Sequence, residues 1–312
     1  MKKNFGMLKK IIIGIILVCV LWILFSNVSK KYEESKYGYP GQLVTVKNEK
    51  LHVHTKGTGT NTIVLLPGLG TASPVLDFEP LIDELSKKNK VFVVEPLGYG
   101  WSDLTDRERS VENITYEIRE AIKKVGVDEP FVLMAHSLSG IYSMYYANKY
   151  PSEIKGIVGI DPSLPQTLSY FKETAPSVPN YMGYLAPLGM TKLAVMLDAK
   201  DYLPIAKKGV YSEKNLIETK AIISWKLSNK TVVNETNSIQ SNSEKTRKLN
   251  FPNELPILIF AKERADGNQN IQFYETQIEN CVKGEVVPLK GHHYLHWTRY
   301  KEITEQTNSF FE

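Results

Sequence analysis

Phe131-Val-Leu-Met-Ala-His-Ser-Leu-Ser-Gly140 decides how the chain folds. Phe131 to Ala135 is an unbroken apolar run, the pattern of a buried strand. Leu138 to Asn148, rich in Ile, Tyr, Met and Ala, reads as a helix. Between them stands Ser137, with small residues, Ala135 and Ser139, two positions away on each side. A strand that turns at once into a helix leaves no room for bulk. The turn strains its middle residue and lifts that hydroxyl above the sheet edge. The first N–H groups of the new helix then point at whatever the hydroxyl attacks. A nucleophilic serine needs this placement. The plainer alternative is an incidental serine in a strand–helix turn, and the surrounding stretches weigh against it.

Before the elbow, Gln42–Val46 and Leu51–Thr55 alternate around Asn48 and read as a hairpin opening the sheet. Thr62–Leu66 is the next strand, followed by Pro67-Gly-Leu-Gly70 and a helix over Val75–Leu85. Val91–Glu95 is a strand that runs into Glu95-Pro-Leu-Gly-Tyr-Gly-Trp-Ser-Asp103. Ser110–Val125 reads as a helix with Ser110 as its N-cap. After the elbow helix, Gly156–Ile160 is a strand ending in Asp161-Pro-Ser-Leu-Pro165. From Ser163 to Asn253 no strand stands out; Tyr181–Leu197 is apolar and reads as helix, while 226–248 is polar. Leu255–Ala261 resumes the sheet, Asn270–Cys281 is a helix and Glu285–Leu289 the last strand. Gly291-His-His-Tyr-Leu-His-Trp297 follows at once, with half of the six histidines, and a helix carrying Ile303 and Phe310 closes the chain. Strands alternating with helices of this length imply an α/β fold, a mostly parallel sheet with helices on both faces.

Over about residues 42–312 these stretches resemble the α/β-hydrolase family. Its elbow is written G-x-S-x-G, with Ala135 and Ser139 here in place of the glycines. Its His-Gly turn is Pro67-Gly68, and its D-x-x-G-x-G-x-S loop begins with Glu95. The resemblance implies an α/β-hydrolase fold with a helical cap, residues 163–253, inserted between late strands. Core segments 41–162 and 254–312 flank that cap. It also implies a chain order of nucleophile, acid, histidine. Ser137 is then the nucleophile, and the Leu69 and Leu138 N–H groups form the oxyanion hole. His293 is the base, because Gly291 precedes it by two and an apolar pair follows. His292 is the alternative base, and His296 lines the pocket or bonds the cap. For the acid, Asp161 at the end of its strand is preferred. Asp266 and Glu263, in the loop after Leu255–Ala261, are the alternatives. The Glu95 loop shapes the floor of the site without doing chemistry. His136 points its side chain away from that of Ser137, and His52 and His54 carry no partner signal. Family members that open epoxides or displace halide use aspartate at the elbow, so Ser137 points elsewhere.

Composition agrees with a globular enzyme. Of 312 residues, 42% are apolar and 23% charged, with a net charge of +4. No Lys/Arg block interleaved with aromatics suggests nucleic acid. Cys19 and Cys281 are too differently placed to suggest a disulfide, and neither has metal-ligand spacing. No cofactor is implied. Asn113, Asn229 and Asn234 each open an N-x-T triplet, a pattern common by chance. The N-terminus differs from the rest. A leader, residues 1–10, holds Lys2, Lys3, Lys9 and Lys10; residues 11–29 are free of charge; residues 30–40 read as a polar linker. The charge-free run reads as an uncleaved membrane anchor in preference to a signal peptide, since no small-x-small site follows it. The basic leader suggests a cytoplasmic N-terminus with the hydrolase domain outside. The expectation is a membrane-anchored serine hydrolase cleaving a small-molecule ester, thioester or amide, with a lipid-derived ester favoured. A tethered, non-catalytic binding or signalling protein of the same fold is the alternative from another class, beside a Ser-type lyase or C–C hydrolase.

Overall fold

The computed structural model describes residues 2–265 and 267–312. Its centre is one eight-stranded sheet: β1 (Gln42–Val46), β2 (Glu49–Lys56), β3 (Asn61–Leu66), β4 (Asn89–Glu95), β5 (Phe131–His136), β6 (Ile154–Ile160), β7 (Pro256–Lys262) and β8 (Lys283–Leu289). The spatial order is β1-β2-β4-β3-β5-β6-β7-β8. β2 runs antiparallel to both β1 and β4, and every other neighbour is parallel. Leu66 aligns with Ala135, His136 with Ile160, and Ile160 with Phe260. The carboxyl ends of β3, β5, β6 and β7 therefore open onto one rim, where ligands bind in open α/β sheets.

The helices are α1 (Lys2–Tyr37), α2 (Pro74–Asp77), α3 (Glu79–Leu85), α4 (Val111–Lys124), α5 (Ser139–Lys149), α6 (Thr167–Phe171), α7 (Met190–Leu197), α8 (Glu213–Lys226), α9 (Lys230–Thr246), α10 (Gln269–Ile278) and α11 (His296–Phe311). Because strand side chains alternate, the sheet feeds two cores. Val64, Leu66, Leu133, Ile157 and Ile259 pack under α4, α5 and α10. Ile63, Leu65, Met134, Val158 and Phe260 pack under α2, α3 and α11. The chain thus has the α/β-hydrolase fold, a mostly parallel sheet covered on both faces.

Three expectations change in detail. The helix read over Val75–Leu85 is two pieces, because Phe78 leaves helical geometry (φ −89°, ψ 5°) directly before Glu79-Pro80. The apolar stretch Tyr181–Leu197 is α-helical only from Met190, with a 3-10 turn over Asn180–Gly183 before it; Gly189 turns left-handed at φ 74° after Pro187. The linker read at 30–40 is helical to Tyr37. Its residues are good helix formers, and Ser29 and Lys30 bond Glu33 and Glu34 one turn on. α1 is long and apolar enough to cross a membrane.

Between β6 and β7 the chain is helical, and this insert is fastened to the rim. Thr231 Oγ1 accepts from Thr105 N and donates to Thr105 O. Asn229 donates to Gly98 O, Asn215 to Leu76 O, and Asn242 bridges Val111 N and Arg109 O.

Candidate active site

β5 delivers Ser137 to the rim with φ 50°, a left-handed backbone that a non-glycine residue rarely adopts. Hydrogen bonds hold it there. Ser137 N–H donates to Ile160 O at 3.1 Å, and Ser137 O accepts from Gly140 N and Ser163 N. Crowding explains the small neighbours. A Cβ on Gly140 would stand 2.5 Å from Ser163 O, and one on Gly68 would stand 2.7 Å from His136 Nδ1 and 3.0 Å from Ser137 Cβ. Ser139 has a use that glycine lacks, because its hydroxyl donates to Pro67 O and ties the elbow to the loop after β3.

His293 Nε2 lies 2.8 Å from Ser137 Oγ, and its Nδ1 lies 2.6 Å from Asp161 Oδ2. The three side chains come from three different strand ends, 132 and 156 residues apart. The Asp161 side chain is 3% exposed and that of His293 38%, so the carboxylate is enclosed while the imidazole reaches solvent. Asp161 is oriented by Lys262 N–H, which donates to Oδ1 at 3.2 Å, and by Tyr274 Oη, which approaches Oδ1 at 3.4 Å and donates to Pro162 O. With Nδ1–H donated to a carboxylate, the imidazole presents a bare Nε2 to the serine hydroxyl.

The other candidates fall elsewhere. His292 is exposed; it stacks on Trp297 at 5.3 Å and 3°, and its Nδ1 accepts from Tyr294 N–H. Partial burial and the Lys262 charge lower its pKa. Glu263 is not a partner of His293, and its N–H donates to Leu289 O. Asp266 lies outside the described residues. His136 packs against His293, its ring 4.9 Å from the His293 ring and its Nε2 3.3 Å from His293 O. Burial, reinforced by His296 and His293, pushes its pKa well below the histidine range, so it is a neutral packing group under the histidine loop.

The amides of Leu69 and Leu138 have no hydrogen-bond partner among the described residues. They stand on the two segments that Ser139 and Gly68 bring together. Below them Glu95 is fully buried and collects four donors: Ser73 Oγ, Val75 N, Trp101 N and His52. Burial opposes its charge, but His52 and these donors outweigh that and lower its pKa. A Cβ on Gly100 would collide with this carboxylate, and one on Gly98 would stand 2.8 Å from Thr231 Cβ of the insert, which explains the G-x-G of the loop.

Two buried arrangements escaped the sequence reading. Asp77 accepts from Trp297 Nε1 at 2.8 Å and holds His296 Nε2 at 2.6 Å, fixing the end of the histidine loop to α2. Glu235 of α9 accepts from Tyr99 and Tyr142 hydroxyls, both at 2.8 Å, and Gly70 N–H donates to Tyr99 Oη. The insert is thereby wired to the loop after β3 and to the elbow helix. Beside the site lies a cavity of about 610 Å³, walled by Ala72, Leu203, Ile205, Ile223, His292 and Trp297. It abuts the histidine loop, while Ser137 lies outside its wall.

A family model described as alpha/beta hydrolase fold matches residues 61–300. The chain is 28% identical over 306 residues to the uncharacterized protein YbdG of Bacillus subtilis, covering 95% of this chain and 93% of that one. It is 33% identical over 118 residues to the serine hydrolase BPHL of Mus musculus, covering 37% and 40%. Among solved structures, the Cif epoxide hydrolase from Acinetobacter nosocomialis superposes with a TM-score of 0.68 at 17% identity, over 92% of this chain and 96% of that one. Cfl2 from Burkholderia cenocepacia gives 0.66 at 15%, over 87% and 95%. The chain belongs to the α/β-hydrolase family.

Proposed function

We propose that this α/β hydrolase is a serine hydrolase that cleaves a carboxylic ester through an acyl-enzyme. The reading rests on one observation, the line from Asp161 through His293 to Ser137 Oγ at 2.6 and 2.8 Å. A free serine hydroxyl is a poor nucleophile at neutral pH and needs a base in contact, itself oriented by an acid. His293 Nε2 takes the Ser137 proton as Oγ bonds to the acyl carbon. The Leu69 and Leu138 N–H groups stabilise the oxyanion. His293 returns the proton to the departing alkoxide as the ester C–O bond breaks. Water repeats the sequence on the acyl-enzyme and releases the acid. Asp161 holds the tautomer and the imidazolium throughout.

Thioesters and amides fit the same steps, and Leu203, Ile205 and Ile223 in the wall of the neighbouring cavity suit an acyl group. Epoxide opening in the family's usual manner requires an elbow aspartate, and residue 137 is serine. For the N-terminus we propose that α1 is an uncleaved, single-pass anchor. The four lysines of the first ten residues favour a cytoplasmic N-terminus, with the hydrolase domain on the far side.

The test is pre-steady-state hydrolysis of a p-nitrophenyl ester by the full chain. A burst of about one equivalent of nitrophenol per active chain is expected. Steady hydrolysis without a burst, undiminished by Ser137→Ala, would sink the reading.

A further inference from the structure

The helical insert is not separate from α1. Trp22 Nε1 donates to Gly189 O at 3.2 Å, and Asn27 Nδ2 donates to Pro187 O at 3.2 Å. Lys192 Nζ and Trp225 Nε1 both donate to Glu33, at 2.7 and 2.8 Å. The approach at Gly189 is close, since a Cβ there would stand 2.7 Å from Trp22 Nε1 and 2.8 Å from Ser26 Cβ. Trp22 and Ser26 belong to the charge-free run, which ends at Ser29. Gly189 therefore meets α1 between Trp22 and Ser26, roughly 6–12 Å before Lys30, counting 1.5 Å per residue.

α7 begins at that point, and it is turned inside out relative to an ordinary surface helix. Thr191, Lys192 and Val195 face inward and are buried. Met190, Leu193, Met196 and Leu197 share the outward face, Met196 at 63% and Leu197 at 80% exposure. Tyr184 and Leu188 precede this face, and Tyr202 and Ile205 follow it, all exposed. Single exposed apolar side chains are ordinary, but a whole helix face of them marks a contact surface. Lys200, Lys207 and Lys208, exposed beyond the face, suit the anionic headgroup layer. Tyr202, Leu203 and Ile205 also wall the cavity beside the histidine loop.

We propose that α7 and its flanking turns form a second membrane-contact element, lying in the interface of the leaflet from which α1 emerges. The occupant of the face is the lipid bilayer. Its depth beside Ser26, roughly 6 Å inside Lys30 at 1.5 Å per residue, lies within the roughly 5–10 Å to which interfacial helices sink. The cavity then opens at Tyr202–Ile205 toward lipid, and the ester it receives is an acyl ester drawn sideways from the leaflet. The inference rests on α1 being a membrane anchor.

The test uses the full chain, with Cys19 and Cys281 replaced by serine, in phosphatidylcholine–phosphatidylglycerol vesicles. One environment-sensitive fluorophore is placed by Leu197→Cys, and in a second protein by Val282→Cys. Val282 is 72% exposed and lies at the amino end of β8, remote from the rim. Lipids spin-labelled near the headgroup should cause a loss of fluorescence at position 197 and none at 282. Met196→Cys should behave like Leu197→Cys. Flotation of the same vesicles reads the anchor separately. If the chain floats and position 197 is quenched no more than 282, the second contact is wrong while the anchor stands. If the chain does not float, the anchor fails and this inference falls with it.

Discussion

Ser137 and Asp161 leave adjacent parallel strands through the same backbone turn, with φ of 50° and 42°. Each donates its N–H to a carbonyl near the carboxyl end of the neighbouring strand, Ser137 to Ile160 and Asp161 to Phe260. Two strained residues one strand apart turn their side chains toward one imidazole. Strain of this kind costs on the order of 1–3 kcal/mol per residue and persists where the surroundings over-determine it.

That relationship predicts the behaviour of the acid. Asparagine tolerates left-handed backbone and can still accept from Lys262 N–H. Asp161→Asn should therefore fold with a nearly unchanged Tm yet lose about three to four decades of kcat. Glu263→Gln should keep its turnover on the same ester. Collapse of the Glu263 variant with Asp161→Asn intact would move the acid to the later strand.

Gly68→Ala places a methyl group against His136 and Ser137. The loop carrying the Leu69 amide must shift to accommodate it. Losing one oxyanion donor costs about a hundredfold to a thousandfold in kcat, and kcat should fall by that order, with a smaller change in KM. An unchanged kcat would remove Leu69 from the oxyanion hole.

Burial raises the Glu235 carboxyl above the usual range, against the pull of Arg109 and the two tyrosine hydroxyls. An acid with a raised folded pKa binds its proton more readily when folded. Its stabilising effect is present below the ordinary carboxylate range and is lost as pH rises through the raised value. Glu235→Gln is neutral throughout and lacks this loss. Its Tm relative to the parent should climb as pH is raised from about 4, near the free carboxylate value, toward neutrality. A Tm difference that stays flat across that range would contradict the assignment.

The anchor reading predicts the mature terminus. Intact-mass measurement of protein recovered from membranes should find the leader and residues 11–29 retained. A chain starting near residue 30 would make the segment a cleaved signal.

The sheet was readable because β3 to β7 are apolar runs buried on both faces, and the elbow because Ala135, Ser137 and Ser139 leave one geometry. The insert was not. α9 buries Thr231, Glu235, Asn242 and Thr246 among Val232, Val233 and Ile239, so its inner face mixes polar with apolar residues and the apolar period that marks a helix is weak. Glu235 and Asp77 were invisible for a related reason. Their partners lie 93 to 220 residues away, and nothing local marks a carboxylate that a distant tyrosine or tryptophan will satisfy. The polar run after Ser29 reads as linker by composition, and its helix continues through local i,i+4 pairs reinforced by Lys192 and Trp225 binding Glu33.

The most direct measurement is fluorophosphonate labelling of the full chain, read by peptide mass spectrometry. One adduct per chain is predicted, on the peptide containing Ser137, with His293→Ala slowing its formation and Ser137→Ala abolishing it at nearly unchanged Tm. A folded wild-type chain that takes no label, or a Ser137→Ala chain that labels as fast as its parent, would contradict the account.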